Sequence, residues 1–185
     1  MTRVWLIRHG EPAGDLNRCY GSLDVDLSAK GREQMAGVAA FLRDEPIAAI
    51  YSSPLSRAVD SAKFLADSSR SIHLCAGLRE IDFGEFEGLT YDEIAARYPD
   101  LYRQWMETPT EVRFPNGETF SEMRVRVIRA FEAIQRERAG QTVAIVSHGG
   151  VNRILMARAL QIPDHSIFEL AQDYAATNLL LSASR

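Results

Sequence analysis

Four apolar residues in a row, Val4-Trp5-Leu6-Ile7, stand near the start of the chain and give way at once to Arg8-His9-Gly10. A short unbroken run of this kind predicts a strand buried on both faces of a parallel sheet. The next pattern is helical: Ser28 as N-cap, with Met35, Val38, Ala39 and Leu42 along one face, predicts a helix from Ser28 to about Asp44. Ile47 to Tyr51 reads as a second strand. Ser53-Pro54 reads as an N-cap followed by proline at the first helical position, so the next helix should run through Val59 to Ala66 with Arg57 near its start. Ile72 to Ala76 predicts a third strand, which exits into Leu78-Arg79-Glu80. Thr119-Phe120-Ser121-Glu122 is a capping box, and Phe120, Met123, Val127, Phe131 and Ile134 form the stripe of a long helix ending near Gly140. Thr142 to Ser147 is another buried strand, delivering His148 into Gly149-Gly150 and an apolar helix, Val151 to Leu160; Ala175 to Ser182 closes the sheet.

Between these elements, 84–118 is irregular and carries Tyr91, Tyr98, Tyr102, Trp105 and Phe114 among charges and prolines, as expected of short helices covering one end of the sheet. The aromatic residues at near-helical spacing are expected to pack more often than to touch a ligand. Alternation of strands and helices implies a layered α/β fold, whose ligands gather beyond the carboxyl ends of parallel strands. Arg8-His9, Glu80 and His148 all follow such ends, and Arg57 opens the next helix.

Composition narrows the class. At 185 residues, 46% hydrophobic and 25% charged, the chain fits one globular domain over 1–185 and argues against disorder. A net charge of -4 gives no support to a general nucleic-acid binder, and no run approaches the roughly 18 apolar residues of a membrane span. Lys30 and Lys63 are the only lysines, a bias that base composition explains. Cys19 and Cys75 have neither a disulfide framework's nor a zinc site's spacing, and Met1 to Ile7 is too short for a signal-peptide core. A reducing cytoplasm is the expected location.

Brought into one pocket, these residues suit phosphoryl transfer. Arg8 and Arg57 offer planar, charged forks for phosphate oxygens, His9 and His148 offer a nucleophile and a donor, and Glu80 can carry a proton. Charge spreads over three equatorial oxygens in such a transition state, where Arg8, Arg57, His148 and the amino end of the following helix would stabilise it.

In these residues the chain resembles the histidine phosphatase superfamily, the phosphoglycerate-mutase-like family. The Arg-His-Gly signature is Arg8-His9-Gly10, followed by Glu11. The Ser-Ser-Pro-Leu-x-Arg-Ala pattern is Ser52 to Ala58, Leu-x-Glu-x-x-x-Gly is Leu78 to Gly84, and Ser-His-Gly is Ser147-His148-Gly149. The likeness runs from Arg3 to about Ser182. It implies a three-layer α/β/α sandwich with a mostly parallel central sheet, phosphorylation of His9, phosphate binding by Arg8, Arg57 and His148, proton donation by Glu80, and no metal or other cofactor. Mutases of the family continue the glutamate motif as Glu-Arg-His-Tyr-Gly, whereas this chain has Glu80-Ile81-Asp82-Phe83-Gly84, which favours hydrolysis. Asp15 stands where mutases place an asparagine. The stretch Asn17 to Ser28 is similar to the Cys-Tyr-Gly-x-x-Asp-Val-x-Leu segment of α-ribazole phosphatases, which act in cobalamin synthesis, and makes Asn17, Tyr20 and Gly21, with Gly149, candidate substrate contacts.

The expectation is therefore metal-independent hydrolysis of a small phosphorylated metabolite, with α-ribazole 5′-phosphate as a candidate substrate and a homodimer admitted. Phosphoglycerate mutase and phosphohistidine-protein phosphatase are the alternatives. Asp24-Val25-Asp26 imitates the loop of aspartyl-nucleophile phosphatases, but the turn-like Cys19 to Leu23 replaces the strand that loop requires. A noncatalytic binder on the same fold would be expected to lack one of His9, Arg57 or His148.

Overall fold

The computed structural model describes residues 1–182. Its strands are β1 (Thr2–Arg8), β2 (Ile47–Ser52), β3 (Ile72–Leu74), β4 (Thr142–Ser147) and β5 (Thr177–Ser182). They form one sheet in the order β3-β2-β4-β1-β5, parallel except for β5, which runs antiparallel to β1. The helices are α1 (Ala29–Phe41), α2 (Ser56–Lys63), α3 (Tyr91–Arg97), α4 (Pro99–Glu107), α5 (Phe120–Glu137) and α6 (Gly149–Leu160).

Period-two alternation sends Val4, Leu6, Val143 and Ile145 to one face, where they pack with α5 and α6. Ile7, Ile50, Ala144 and Val146 point the other way, into a second core with Met35 and Leu42 from the α1 region and Ala58 and Ala62 of α2. Covering both faces is what makes the strand sequences continuous apolar runs. The result is a three-layer α/β/α sandwich around a mostly parallel sheet. Among the described residues, no helix is long and apolar enough to cross a membrane.

The capping box forms as the pattern predicts: Thr119 Oγ1 accepts from Glu122 N at 3.2 Å and Glu122 Oε2 accepts from Thr119 N at 2.7 Å. Behind it, α5 buries Phe120, Met123, Val127, Phe131 and Ile134. Ser28 caps α1 through Gly31 N at 2.9 Å, although that helix stops at Phe41 rather than near Asp44.

Three other boundaries differ as well, two of them for nonlocal reasons. Ser53 does not cap α2, which begins at Ser56; its hydroxyl lies 2.8 Å from His148 Nε2, and Asp24 from a distant loop accepts from Ser56 N at 2.7 Å. β5 begins at Thr177 rather than Ala175, because Ala175 has φ 62° and gives its N–H to the His9 carbonyl at 3.1 Å. β3 likewise ends at Leu74, short of Ala76, where a 3-10 turn begins.

One register matters most. β1 and β4 pair through Arg8 opposite Ser147, and His9 N donates to Ser147 O at 2.9 Å. His9 and His148 therefore leave neighbouring strands at the same level.

Candidate active site

Beyond these strand ends lies a cavity of ≈ 270 Å³. Arg8, His9, Arg57, Glu80 and Gly149 share its wall, so residues from four separate stretches of chain meet there. His148 stands behind them, fully buried, with its ring centroid 5.1 Å from that of His9.

The hydrogen bonds assign the His9 tautomer. Nδ1 lies 2.7 Å from Gly10 O, and a carbonyl only accepts, so Nδ1 carries the proton and Nε2 keeps its lone pair. Burial, then the Arg57 and Arg8 cations, hold His9 well below the ordinary imidazole range, so the ring is neutral. Burial and the charges of Arg57, Arg8 and Arg126 do the same to His148. Ser53 Oγ accepts from Leu55 N at 3.3 Å, and among the described residues its proton has no acceptor other than His148 Nε2, so the hydroxyl donates there. His148 Nδ1 is then a buried N–H with no partner.

Both histidines stay neutral at pH values where an unfolded chain binds protons. The unfolded state then holds more protons, so stability is full above about pH 6.5 and is lost as pH falls from there towards the lowered native values. Denaturant unfolding across this window is expected to show that acid-side loss; a flat profile would contradict it.

Arg8 donates through Nη1 to Gln172 O and stacks over Tyr174, its Cζ 4.1 Å from the ring centroid, while Nε is buried without a partner. Gln172 is itself fixed by Asn152, whose Oδ1 accepts from Ser147 Oγ at 2.6 Å. Arg57 is 1% exposed and points Nη1 at Leu23 O (2.8 Å) and Nη2 at Gly21 O (2.6 Å), keeping its remaining N–H groups free for a ligand.

Glu80 accepts from Gly150 N at 3.0 Å through Oε2 and from Ile81 N at 3.0 Å through Oε1, which leaves one lone pair on each oxygen. A Cβ at Gly150 would collide with Glu80 Oε1, so this docking requires glycine. Arg126 of α5 steadies the same turn by donating to Arg79 O at 2.6 Å and Glu80 O at 3.0 Å while paired with Glu118.

The other candidates divide. Tyr20 and Gly149 line the cavity; Asn17 and Gly21 do not. Asn17 is exposed, with its carbonyl accepting from Tyr91 N at 3.3 Å. Gly21 packs against the Ile81 carbonyl, where a Cβ would collide, and its own carbonyl serves Arg57. Asn17 and Gly21 thus lie outside the lining of this cavity. Asp24, from the stretch that imitates an aspartyl-nucleophile loop, binds Ser56 instead. Glu11 accepts from Lys30 at 2.8 Å on the surface, an ion pair rather than a pocket group.

In the segment 84–118, α3 and α4 bring Tyr91 and Trp105 to the cavity, joined by Phe114 and the adjoining Phe83, whose ring meets Trp105 at a tilt (5.2 Å) and Phe114 edge to face (4.9 Å). Tyr98 and Tyr102 do not line it. Sequence reasoning passed over Tyr174, Arg153, Gln172, Gly150 and Ser53. Ser53 sits inside a quoted motif and Gly150 directly after one, whereas Gln172 and Tyr174 lie in a segment with no periodic signal. Among the described residues, no group of three or more His, Cys, Asp or Glu side chains could hold a metal ion. Cys19 and Cys75 are free thiols.

Residues 4–184 match the family model described as histidine phosphatase superfamily (branch 1). Phosphoserine phosphatase 1 of Hydrogenobacter thermophilus is 31% identical over 183 residues, covering 97% of this chain and 86% of that protein. Adenosylcobalamin/alpha-ribazole phosphatase of Escherichia coli is 28% identical over 173 residues, covering 92% and 85%. Bifunctional protein Rv2228c of Mycobacterium tuberculosis is 35% identical over 96% of this chain, which spans only 50% of that protein's length. Among solved structures, Bacillus stearothermophilus YhfR superposes with a TM-score of 0.91 at 30% identity, covering 97% of this chain and 90% of that one. With the family's pattern running from β1 to β5 and its paired imidazoles meeting at adjacent strand ends, the chain belongs to the histidine phosphatase superfamily and is a phosphatase.

Proposed function

We propose that this protein hydrolyses a small phosphomonoester without a metal, through a phosphohistidine at His9. The observation that carries the reading is the neutral His9 ring, with its Nε2 lone pair free and Arg8, Arg57 and His148 around it. Nε2 attacks phosphorus as the bond to the leaving oxygen breaks, and Glu80 as general acid gives that oxygen its proton. The Glu80 carboxylate then takes a proton from water, whose oxygen attacks phosphorus and releases His9 with inorganic phosphate. Arg8, Arg57, the His148 Nδ1–H and the amino end of α6 hold the equatorial oxygens in both steps. The donor set supports independence from metal: cations and N–H groups carry the charge that an ion would otherwise neutralise.

The aromatic wall of Phe83, Tyr91, Trp105 and Phe114 supports a planar, largely apolar leaving group. Of the substrates named for the relatives, α-ribazole 5′-phosphate has such a group, and it is the substrate we propose. Ile81 lines the cavity in the motif where mutases continue with Arg-His, which counts against the mutase alternative.

A substrate panel run in chelator tests this reading: α-ribazole 5′-phosphate, phosphoserine, 3-phosphoglycerate, sugar phosphates and a phosphohistidine peptide. The expected result is undiminished activity with highest kcat/KM on α-ribazole 5′-phosphate. Preference for phosphoserine or the peptide would overturn the substrate, and collapse in chelator the mechanism. In the same panel, Glu80→Gln should lose about tenfold more on alkyl than on aryl phosphates, since aryloxide departs without a proton. Equal losses would remove Glu80 as the acid.

A further inference from the structure

Glu87 lies outside the cavity lining and, among the described residues, forms no salt bridge. Its carboxylate accepts the backbone N–H groups of Gly21 (3.0 Å), Ser22 (2.7 Å), Leu23 (3.1 Å) and Phe83 (2.9 Å), and the Ser22 hydroxyl at 3.2 Å. Successive N–H groups curled around one anion make a nest, here filled by the protein's own side chain. A turn whose N–H groups all face Glu87 presents carbonyls elsewhere, and the Gly21 and Leu23 carbonyls take the two ends of the Arg57 fork, at 2.6 and 2.8 Å. One residue further, Asp24 accepts from Ser56 N (2.7 Å) and Ser56 Oγ (2.8 Å), closing the amino end of the helix that carries Arg57. No residue of α2 caps that end itself.

We propose that Glu87 is the positioning residue for Arg57: its carboxylate shapes the 21–24 turn, whose two carbonyls and Asp24 aim the guanidinium at the phosphoryl group. The proposal rests on the reading of Arg57 as a phosphoryl ligand. It accounts for the Gly-x-x-Asp part of the Cys-Tyr-Gly-x-x-Asp stretch as an arginine cradle, while Cys19 and Tyr20 line the cavity. It also ties the segment that carries Tyr91 and Trp105 to the phosphate end of the cavity, since Glu87 lies four residues before Tyr91. An amide at this position would offer one accepting oxygen and turn N–H donors towards N–H donors. The turn would shift, and with it the direction of the fork.

A double-mutant cycle tests the proposal, with wild type, Glu87→Gln, Arg57→Ala and the double variant measured for kcat, KM and inhibition by vanadate on an aryl phosphate. Glu87→Gln is expected to lower kcat by about ten- to hundredfold and to weaken vanadate by a similar factor, with KM nearly unchanged. In the Arg57→Ala background the same change should cost less than about twofold, because the residue it acts through is gone. Equal losses in both backgrounds, or unchanged vanadate inhibition, overturn the proposal. If circular dichroism shows that Glu87→Gln does not fold, Asp24→Ala runs the same cycle, and additive losses there overturn it equally. Wild-type turnover in Arg57→Ala alone would instead remove the phosphoryl-ligand reading, and the proposal with it.

Discussion

Replacing His9 by alanine is expected to lower turnover by at least about ten-thousandfold and to abolish phosphate on the acid-quenched protein. The wild-type adduct should be stable in base and labile in acid, as a phosphoramidate bond is and a phosphoserine ester is not. The size of the effect follows from the geometry. The Nδ1–H to Gly10 O contact fixes which nitrogen attacks, and no other nucleophile stands ready to replace it. His148 has no comparable lone pair to offer, because Nε2 is taken by Ser53 and Nδ1 carries the proton. Cys19 lines the same cavity, but burial and the nearby Glu87 charge push its thiol far up, so it stays protonated. Near-normal turnover by His9→Ala, or undiminished labelling, would remove the covalent mechanism.

Arg57→Ala should cost about a hundred- to a thousandfold in kcat, the range seen when one fixed donor to a transition-state oxyanion is removed. Lysine at this position should recover less than about a tenth of the lost rate. An ammonium has the charge but not the fork: Arg57 reaches the Gly21 and Leu23 carbonyls with two nitrogens and still has N–H groups left for phosphate. A loss under threefold in Arg57→Ala, measured by steady-state kinetics on protein with native circular dichroism, would exclude the assigned role. Burial sharpens the expectation, since a 1% exposed guanidinium works where water cannot substitute for it.

The apolar runs at Val4 to Ile7 and Thr142 to Ser147 were legible as strands because burial on both faces leaves no polar positions to interrupt them. The capping box at Thr119 was legible because its partners lie three residues apart. Arg8, His9, Arg57, Glu80 and Gly149 could be placed together because their motifs follow strand ends or open helices. What stayed hidden depends on partners far along the chain. Ser53 has the local look of an N-cap, yet its hydroxyl is committed to His148, 95 residues away. Gly21 stands next to Tyr20, which does face the cavity, yet it lies outside the lining and packs against the Ile81 carbonyl. Gln172 and Tyr174 belong to no helix or strand, so no period marks them, and they reach Arg8 only because β5 returns the chain beside β1.

That return has a consequence for biosynthesis. Arg8 N donates to Ala176 O at 2.9 Å and Ala175 N to His9 O at 3.1 Å, so these functional residues are clasped by residues made much later. A nascent chain halted before this stretch leaves the ribosome would own both imidazoles and every arginine of the pocket, yet its first strand would have an unzipped margin and its nucleophile a slack anchor. Competence should arrive in one step once Gln172 to Ser182 have emerged rather than build up gradually, and a stop codon placed just before Gln172 should silence the protein without touching a reacting group.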